Sequence, residues 1–279
     1  MMIFHYTTLE ALNSILKNYR KSEDKTNIVF WASSIYTMND STEMLYGWNV
    51  LKNNLEIFEK ENKIFEKIRL SAFMKKVETS DLSEFFRQHF YHEKKTPFII
   101  SFSENKDVLN MWSLYGGNGK GVVLCFEEEE LNGYLLLNTL YVNQSDNDII
   151  SAEVLSTIIP TEYEKYLKNT SKNDFDKIIS IGSMLPLLST YIKDSAFKYE
   201  REKRLSIICD NSKPVDFRVS KAGNIIPYIE VPIPIQSLKE IIIGPCINPV
   251  YVERGLLFEL SVCGVDIPVS ISNVPFREI

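Results

Sequence analysis

The spacing of apolar positions predicts an alternation of strands and helices along the whole chain. Met2 to Tyr6 reads as a short strand, and Thr7 and Glu10 have the T-x-x-E spacing of a capping box. Leu9, Leu12, Ile15 and Leu16 then form one apolar helical face. Ile28 to Ala32 reads as a second strand, followed by a polar loop that holds Met38, Asn39 and Asp40. Trp48, Leu51, Leu55, Phe58, Phe65 and Ile68 recur at helical spacing, predicting an amphipathic helix over roughly Glu43 to Glu78. Asp81 to Phe90 continues as another helix. A strand follows over Phe98 to Ser103, a helix over Asp107 to Tyr115, and a strand over Val122 to Phe126. Ile149 to Phe197 reads as mostly helical, with a break near Asn169 to Asp174 and a kink at Pro186. Arg204 to Cys209 is a strand, as are the stretches around Ile226 to Val231, Ile241 to Ile243 and Ile267 to Ile271. A helix spans about Val250 to Cys263. The pattern predicts a single α+β domain over residues 1–279, with a mixed or antiparallel sheet core. Long helical insertions fall at about 43–92 and 149–197.

Composition narrows the chemistry. Hydrophobic residues make up 44% of the 279, enough for a sizeable core. The formal net charge is −6, so bulk nucleic-acid binding is not expected. No apolar run is long enough to span a membrane, and no leader is visible, which points to a cytoplasmic protein. The four cysteines form no CxxC pair and read as buried thiols in a reducing compartment. His89 and His92 have the spacing of a metal pair, with Glu93 beside them, but read as a polar helix end. No metal is expected.

Several segments carry candidate chemistry. Glu200, Glu202, Arg204 and Ser206 alternate, so on a strand they share one face. Two carboxylates and a guanidinium there suit a ribose hydroxyl or a developing cation, but on spacing alone they read as a solvent-facing salt-bridge ladder. Ser101 and Ser103 alternate with Phe102 at a strand end. Trp112 and Tyr115 lie three apart on a helix and fit either a planar ligand or the core. Asn39 and Asp40 precede a helix, where such residues are ordinary caps. His5 and Tyr6 end a strand just before a helix N-terminus. The glycine cluster GGNGKG at residues 116–121 follows a helix and precedes a strand, the wrong order for a phosphate loop. It reads as a helix cap and tight turn with Gly116 or Gly117 at positive φ.

Read together, FHYTT, TMNDSTEM, FIISFSENKDVLNMWSLYGGNGKGVVLCF, AFKYEREKRLSII and LKEIIIGPCIN resemble a bacterial family, domain of unknown function 2971. More distantly, the chain resembles ADP-ribosyltransferases, which carry an Arg or His on a first strand, a Ser or Tyr in a second motif and a Glu on a later strand. His5, then Ser101 and Ser103 or Tyr115, then Glu202 follow that order. His5-Tyr6-Thr7 is similar to the His-Tyr-Glu subgroup, and Glu200 and Glu202 to the ExE arrangement of others. The resemblance implies NAD as substrate and cleavage of its nicotinamide–ribose bond, in a toxin or phage-defence effector. Glu202, with Glu200, would oppose the charge of an oxocarbenium-like state, and His5 would position the ribose. Tyr6 or Tyr115 would stack on nicotinamide, and Ser101 or Ser103 would hold the geometry. The acceptor macromolecule stays open. Two other readings accompany it: a non-catalytic nucleotide- or protein-binding module, and a metal-dependent nuclease built on Asp40, Glu200 and Glu202.

Overall fold

The computed structural model describes residues 1–37, 45–52, 97–143, 185–208, 214–220, 223–245 and 248–275. In chain order the strands are β1 (Met2–Thr7), β2 (Asn27–Ser34), β3 (Pro97–Ser103), β4 (Val122–Glu127), β5 (Leu135–Asn138), β6 (Leu140–Val142), β7 (Ile192–Asp194), β8 (Glu202–Ile208), β9 (Asp216–Val219), β10 (Ile225–Pro234), β11 (Leu238–Ile243) and β12 (Val269–Ile271). The helices are α1 (Leu9–Lys21), α2 (Leu109–Leu114), α3 (Leu185–Ser189) and α4 (Pro249–Cys263). Residues 45–52 are also helical. The rest of the helical insertions expected at about 43–92 and 149–197 lies largely outside the described residues, as do Asn39, Asp40, His89 and His92.

The main sheet runs β12-β11-β4-β1-β3-β2-β10-β9, with β8 and then β5 added on β3. Every pairing in it is antiparallel except β11 with β12. The chain is therefore α+β with a mixed, mostly antiparallel sheet, as the apolar pattern predicts. β3 organises it. One edge of β3 pairs with β8 from Pro97 to Ser103. The other edge is shared, meeting β2 at Phe98 and Ile99 and β1 only at Ser103.

Two apolar layers sandwich the sheet. On one side Ile3, Phe30, Ile100, Phe102, Leu124, Leu205 and Val231 pack under α1 and α4, which contribute Leu12, Leu16, Leu256 and Leu260. On the other, Phe4, Tyr6, Val123, Cys125 and Ile242 pack under Met111 and Trp112 of α2. Strand alternation makes this division, since Ile3 and Phe4 are neighbours on opposite faces.

Local details depart from the sequence reading for physical reasons. Thr7 pairs with Val122 in the β1–β4 ladder, so the first residue free to cap α1 is Thr8, whose hydroxyl accepts from Ala11 N at 3.2 Å. The mostly helical run expected to reach Phe197 gives way to β7 and a 3-10 turn over Ser195–Glu200, because Leu140–Val142 supplies a parallel partner distant in sequence. The glycine cluster is a turn: Gly117, Asn118 and Gly119 all have positive φ, while Gly116 does not. Gly121 is required by close approach, for a methyl group there would run into the Thr7 carbonyl.

Candidate functional site

The centre of the candidate site is a group of four charged side chains on one face of β8 and its approach. The 3-10 turn ends at Glu200, Arg201 takes a left-handed conformation (φ 41°, ψ 52°), and β8 starts at Glu202. The sequence reading places Glu200 on the strand with Glu202. The structure instead brings the two carboxylates together across the left-handed residue, and both meet Lys193 of β7. Lys193 Nζ donates to Glu200 Oε2 at 2.6 Å and to Glu202 Oε2 at 3.2 Å. Arg204 grips Glu202 with two parallel bonds, Nε to Oε1 at 2.9 Å and Nη2 to Oε2 at 2.8 Å. Its Nη1 donates to the Thr190 carbonyl. Tyr115 Oη donates to Glu200 Oε1 at 2.7 Å.

All four charged residues are buried, with Glu200 2% and Arg204 1% exposed. Burial alone pushes the Glu202 carboxyl up, but Arg204, Lys193 and hydrogen bonds from Arg204 and Ser101 outweigh it and hold the pKa at about 2. Glu202 is therefore a carboxylate at neutral pH. The Tyr115 phenol is pushed up, first by burial and then by its bond to Glu200, so it stays a donor. The solvent-facing salt-bridge ladder is thus overturned for this segment: the network faces inward.

β3 supplies the serines. Ser101 pairs with Arg204 and Ser103 with Glu202, so both lie on the carboxylate face. The Ser101 hydroxyl reaches Glu202. Ser103 Oγ donates to the Glu200 carbonyl at 2.6 Å and accepts from Asn105 N at 3.0 Å, tying β3 to the 3-10 turn. Tyr6 Oη donates to the Asn105 carbonyl at 3.0 Å and accepts from Val108 N. Its ring meets Trp112 edge-on at 5.2 Å. Trp112 is fully buried and donates from Nε1 to Asp107 Oδ1 at 2.6 Å. Tyr6 and Trp112 are therefore core aromatics in this arrangement, and half-buried Tyr115 is the aromatic that adjoins the carboxylates.

His5 is placed apart. Its ring packs edge-on against Phe30 at 5.2 Å and Phe102 at 5.8 Å. That is the opposite face of β3 from Ser101, Ser103 and Glu202. The structure brings the serines, Tyr115, Arg204 and both carboxylates together, and leaves His5 behind the sheet. There His5 Nδ1 lies 2.9 Å from the Ser101 carbonyl. A carbonyl only accepts, so Nδ1 carries the proton. Ser101 lies between the β1 contact at Ser103 and the β2 contact at Ile99. Burial lowers the His5 pKa against the raising effect of the Ser101 bond.

Three contributors were not singled out from sequence. Lys193 bridges both carboxylates, Tyr141 accepts from Glu202 N at 2.7 Å, and Tyr191 donates to Ser206 Oγ at 2.5 Å. The available signal was Lys193 as a lone cation in the apolar stretch MLPLLSTYI-K. Among the described residues no group of three His, Cys, Asp or Glu is placed to hold a metal. No described helix is long and apolar enough to cross a membrane.

The family described as Protein of unknown function (DUF2971) matches residues 111–205, from Met111 of α2 through the glycine turn to Leu205 of β8. That segment holds Trp112, Tyr115, Lys193, Glu200, Glu202 and Arg204. No curated protein and no solved structure matches the chain.

Proposed function

We propose that this protein consumes NAD, breaking the bond between nicotinamide and ribose. The observation that carries the reading is the convergence of Glu200 and Glu202 on Lys193, on the sheet face that also bears Ser101 and Ser103. The strands bearing the three motif positions, β1, β3 and β8, are also neighbours in the sheet. Burying four charges costs several kcal/mol per ion before pairing, so such a cluster is a poor way to gain stability alone. As chemistry it is coherent. The C1′–N bond breaks with its electron pair leaving on nicotinamide, and positive charge develops on the ribose. A fixed, ionised carboxylate opposes that charge without reorganising. The acceptor's lone pair forms the new bond to C1′ and its proton is released. The acceptor is a macromolecule in transfer and water in hydrolysis. In this reading Glu202 and Glu200 face the ribose, and Tyr115 lies beside the nicotinamide. Ser101 and Ser103 fix the carboxylates, whereas His5, packed on Phe30 and Phe102 on the opposite face, does not position the ribose as the resemblance implies. The unpaired thiols of Cys125 and Cys263 fit a cytoplasmic effector.

One observation favours a second reading, a nucleotide- or protein-binding module without turnover. The carboxylates already have partners in Lys193, Arg204 and Tyr115, so they are satisfied without a ligand. The test is nicotinamide release from NAD by the purified full chain. Release that falls ~100-fold or more in Glu202→Gln, with melting still cooperative, supports the enzyme. NAD bound in calorimetry with no release supports the module. Equal release from both proteins removes Glu202 from catalysis, and metal-dependent loss of nucleic acid would favour a nuclease.

A further inference from the structure

The hairpin that ends the sheet has a self-complementary edge. β9 pairs with β10 on one side, and among the described residues no strand pairs its other side. Val215, Phe217, Val219 and Ile225 are 40%, 61%, 72% and 66% exposed. The register sets Phe217 opposite Pro227 and Val219 opposite Ile225, so these apolar groups share one face. Asp216 and Arg218 lie on the other face. There Tyr228 Oη donates to Asp216 Oδ2 at 3.1 Å and Arg218 Nη2 donates to Ser33 Oγ at 3.1 Å. Arg218 Nε is buried and has no hydrogen-bond partner among the described residues.

Among the described residues no strand covers the outer backbone of this edge. Ser220 N donates to the Asn224 carbonyl at 2.9 Å, so counting back by twos puts Arg218 and Asp216 in the inward-bonding positions. Phe217 and Val219 then aim their N–H and C=O groups outward. The outward Phe217 N–H is met by the Asp216 carboxylate at 2.8 Å rather than by another strand. An exposed apolar edge of this kind templates pairing with a further chain.

We propose that β9 pairs with β9 of a second copy, antiparallel about a two-fold axis at Phe217, joining the two sheets into one. Residues 215–219 read Val-Asp-Phe-Arg-Val, apolar, acidic, aromatic, basic, apolar. About that axis Phe217 faces Phe217, each Val215 faces Val219, and each Asp216 faces Arg218 of the second copy. Both ion pairs lie on one face and all apolar pairs on the other. A slip by one pair in either direction sets Asp216 against Asp216 or Arg218 against Arg218, so charge selects a single register. The contact is isologous, as a two-fold dimer requires.

Sedimentation velocity of the full chain over a concentration series tests this. The unaltered protein dimerises. Asp216→Arg and Arg218→Asp each weaken the dimer ~10-fold or more, since each reversal converts two attractive pairs into repulsive ones. The double reversal restores it. Each single reversal loses one intrachain bond, that from Tyr228 or that to Ser33, and the double variant loses both, so a merely local role predicts no rescue. Phe217→Cys gives an intermolecular disulfide under mild oxidation, because its own copy is the directly opposed residue. Val219→Cys does not. A monomer at every concentration, a dimer indifferent to either reversal, or equal cross-linking at both positions overturns the proposal.

Discussion

Glu202 and His5 sit on opposite faces of the sheet, and both make the native state sensitive to acid. The Glu202 carboxyl has a pKa of about 2 against an ordinary value of 4.5, so the unfolded chain binds a proton more readily. Its stabilisation is in place above 4.5 and is lost as pH falls from there through about 2. The His5 imidazole is lowered from 6.5, which has the same sign: its contribution is complete above 6.5 and declines as pH falls below it. Denaturant unfolding at stepped pH should show a first loss below 6.5 and a second between 4.5 and 2. His5→Phe removes the first loss and leaves the second. Glu202→Gln flattens the second, and at neutral pH costs ~3–5 kcal/mol, because buried Lys193 and Arg204 each lose a charged partner. The candidate residues themselves were visible as a pattern of types and spacings. Their facing was legible only where the strand was. Ser101 and Ser103 on one side of Phe102 follow from alternation, whereas the side on which His5 lies depends on where β1 meets β3.

The joint between the 3-10 turn and β8 decides the site at the level of elements. A left-handed Arg201 turns the chain so that Glu200 and Glu202 reach the same lysine. Its side chain contributes only an exposed pair with Glu104 at 2.8 Å, a contact of small value. Arg201→Gly therefore leaves stability within about 1 kcal/mol of the original, since glycine takes this conformation freely. Arg201→Val costs ~1–2 kcal/mol more than Arg201→Gly, because a β-branched residue clashes there. Guanidinium titrations of the two variants measure the difference. Strands with strong alternation or dense β-branching, such as Val122–Glu127 and Ile225–Pro234, were legible as strands. β5, β6, β7 and β9 were not. Each is three or four residues long: β5, β6 and β7 are strands because a distant partner pairs with them, Leu137 with Arg204 and Val142 with Asp194, and β9 because it folds back on β10, Phe217 against Pro227.

Across the whole molecule, stability should be greatest where both faces of a strand are covered. β4 and β1 lie at the centre of the sheet, with Val122 to Phe126 fully buried between α2 on one side and α1 with α4 on the other. β12 is an edge strand whose residues are all half-buried. Native-state hydrogen exchange should find the slowest amides in β4 and β1, opening only with global unfolding. The amides of β12 should exchange through local opening, at a free energy well below the global value. Similar protection for β12 and β4 would contradict this ordering. The sequence by itself determined the fold class and the residue types available for chemistry. Apolar periodicity is a local property, and a chain poor in histidine and paired cysteine has carboxylates and hydroxyls left to work with. Only the tertiary structure decided which of those residues meet. The partnership of Lys193 with Glu200 and Glu202, the separation of His5 from them, and the inward burial of four charges all rest on pairing between strands far apart in the chain. Such pairing is set by the whole core at once, and no local pattern carries it.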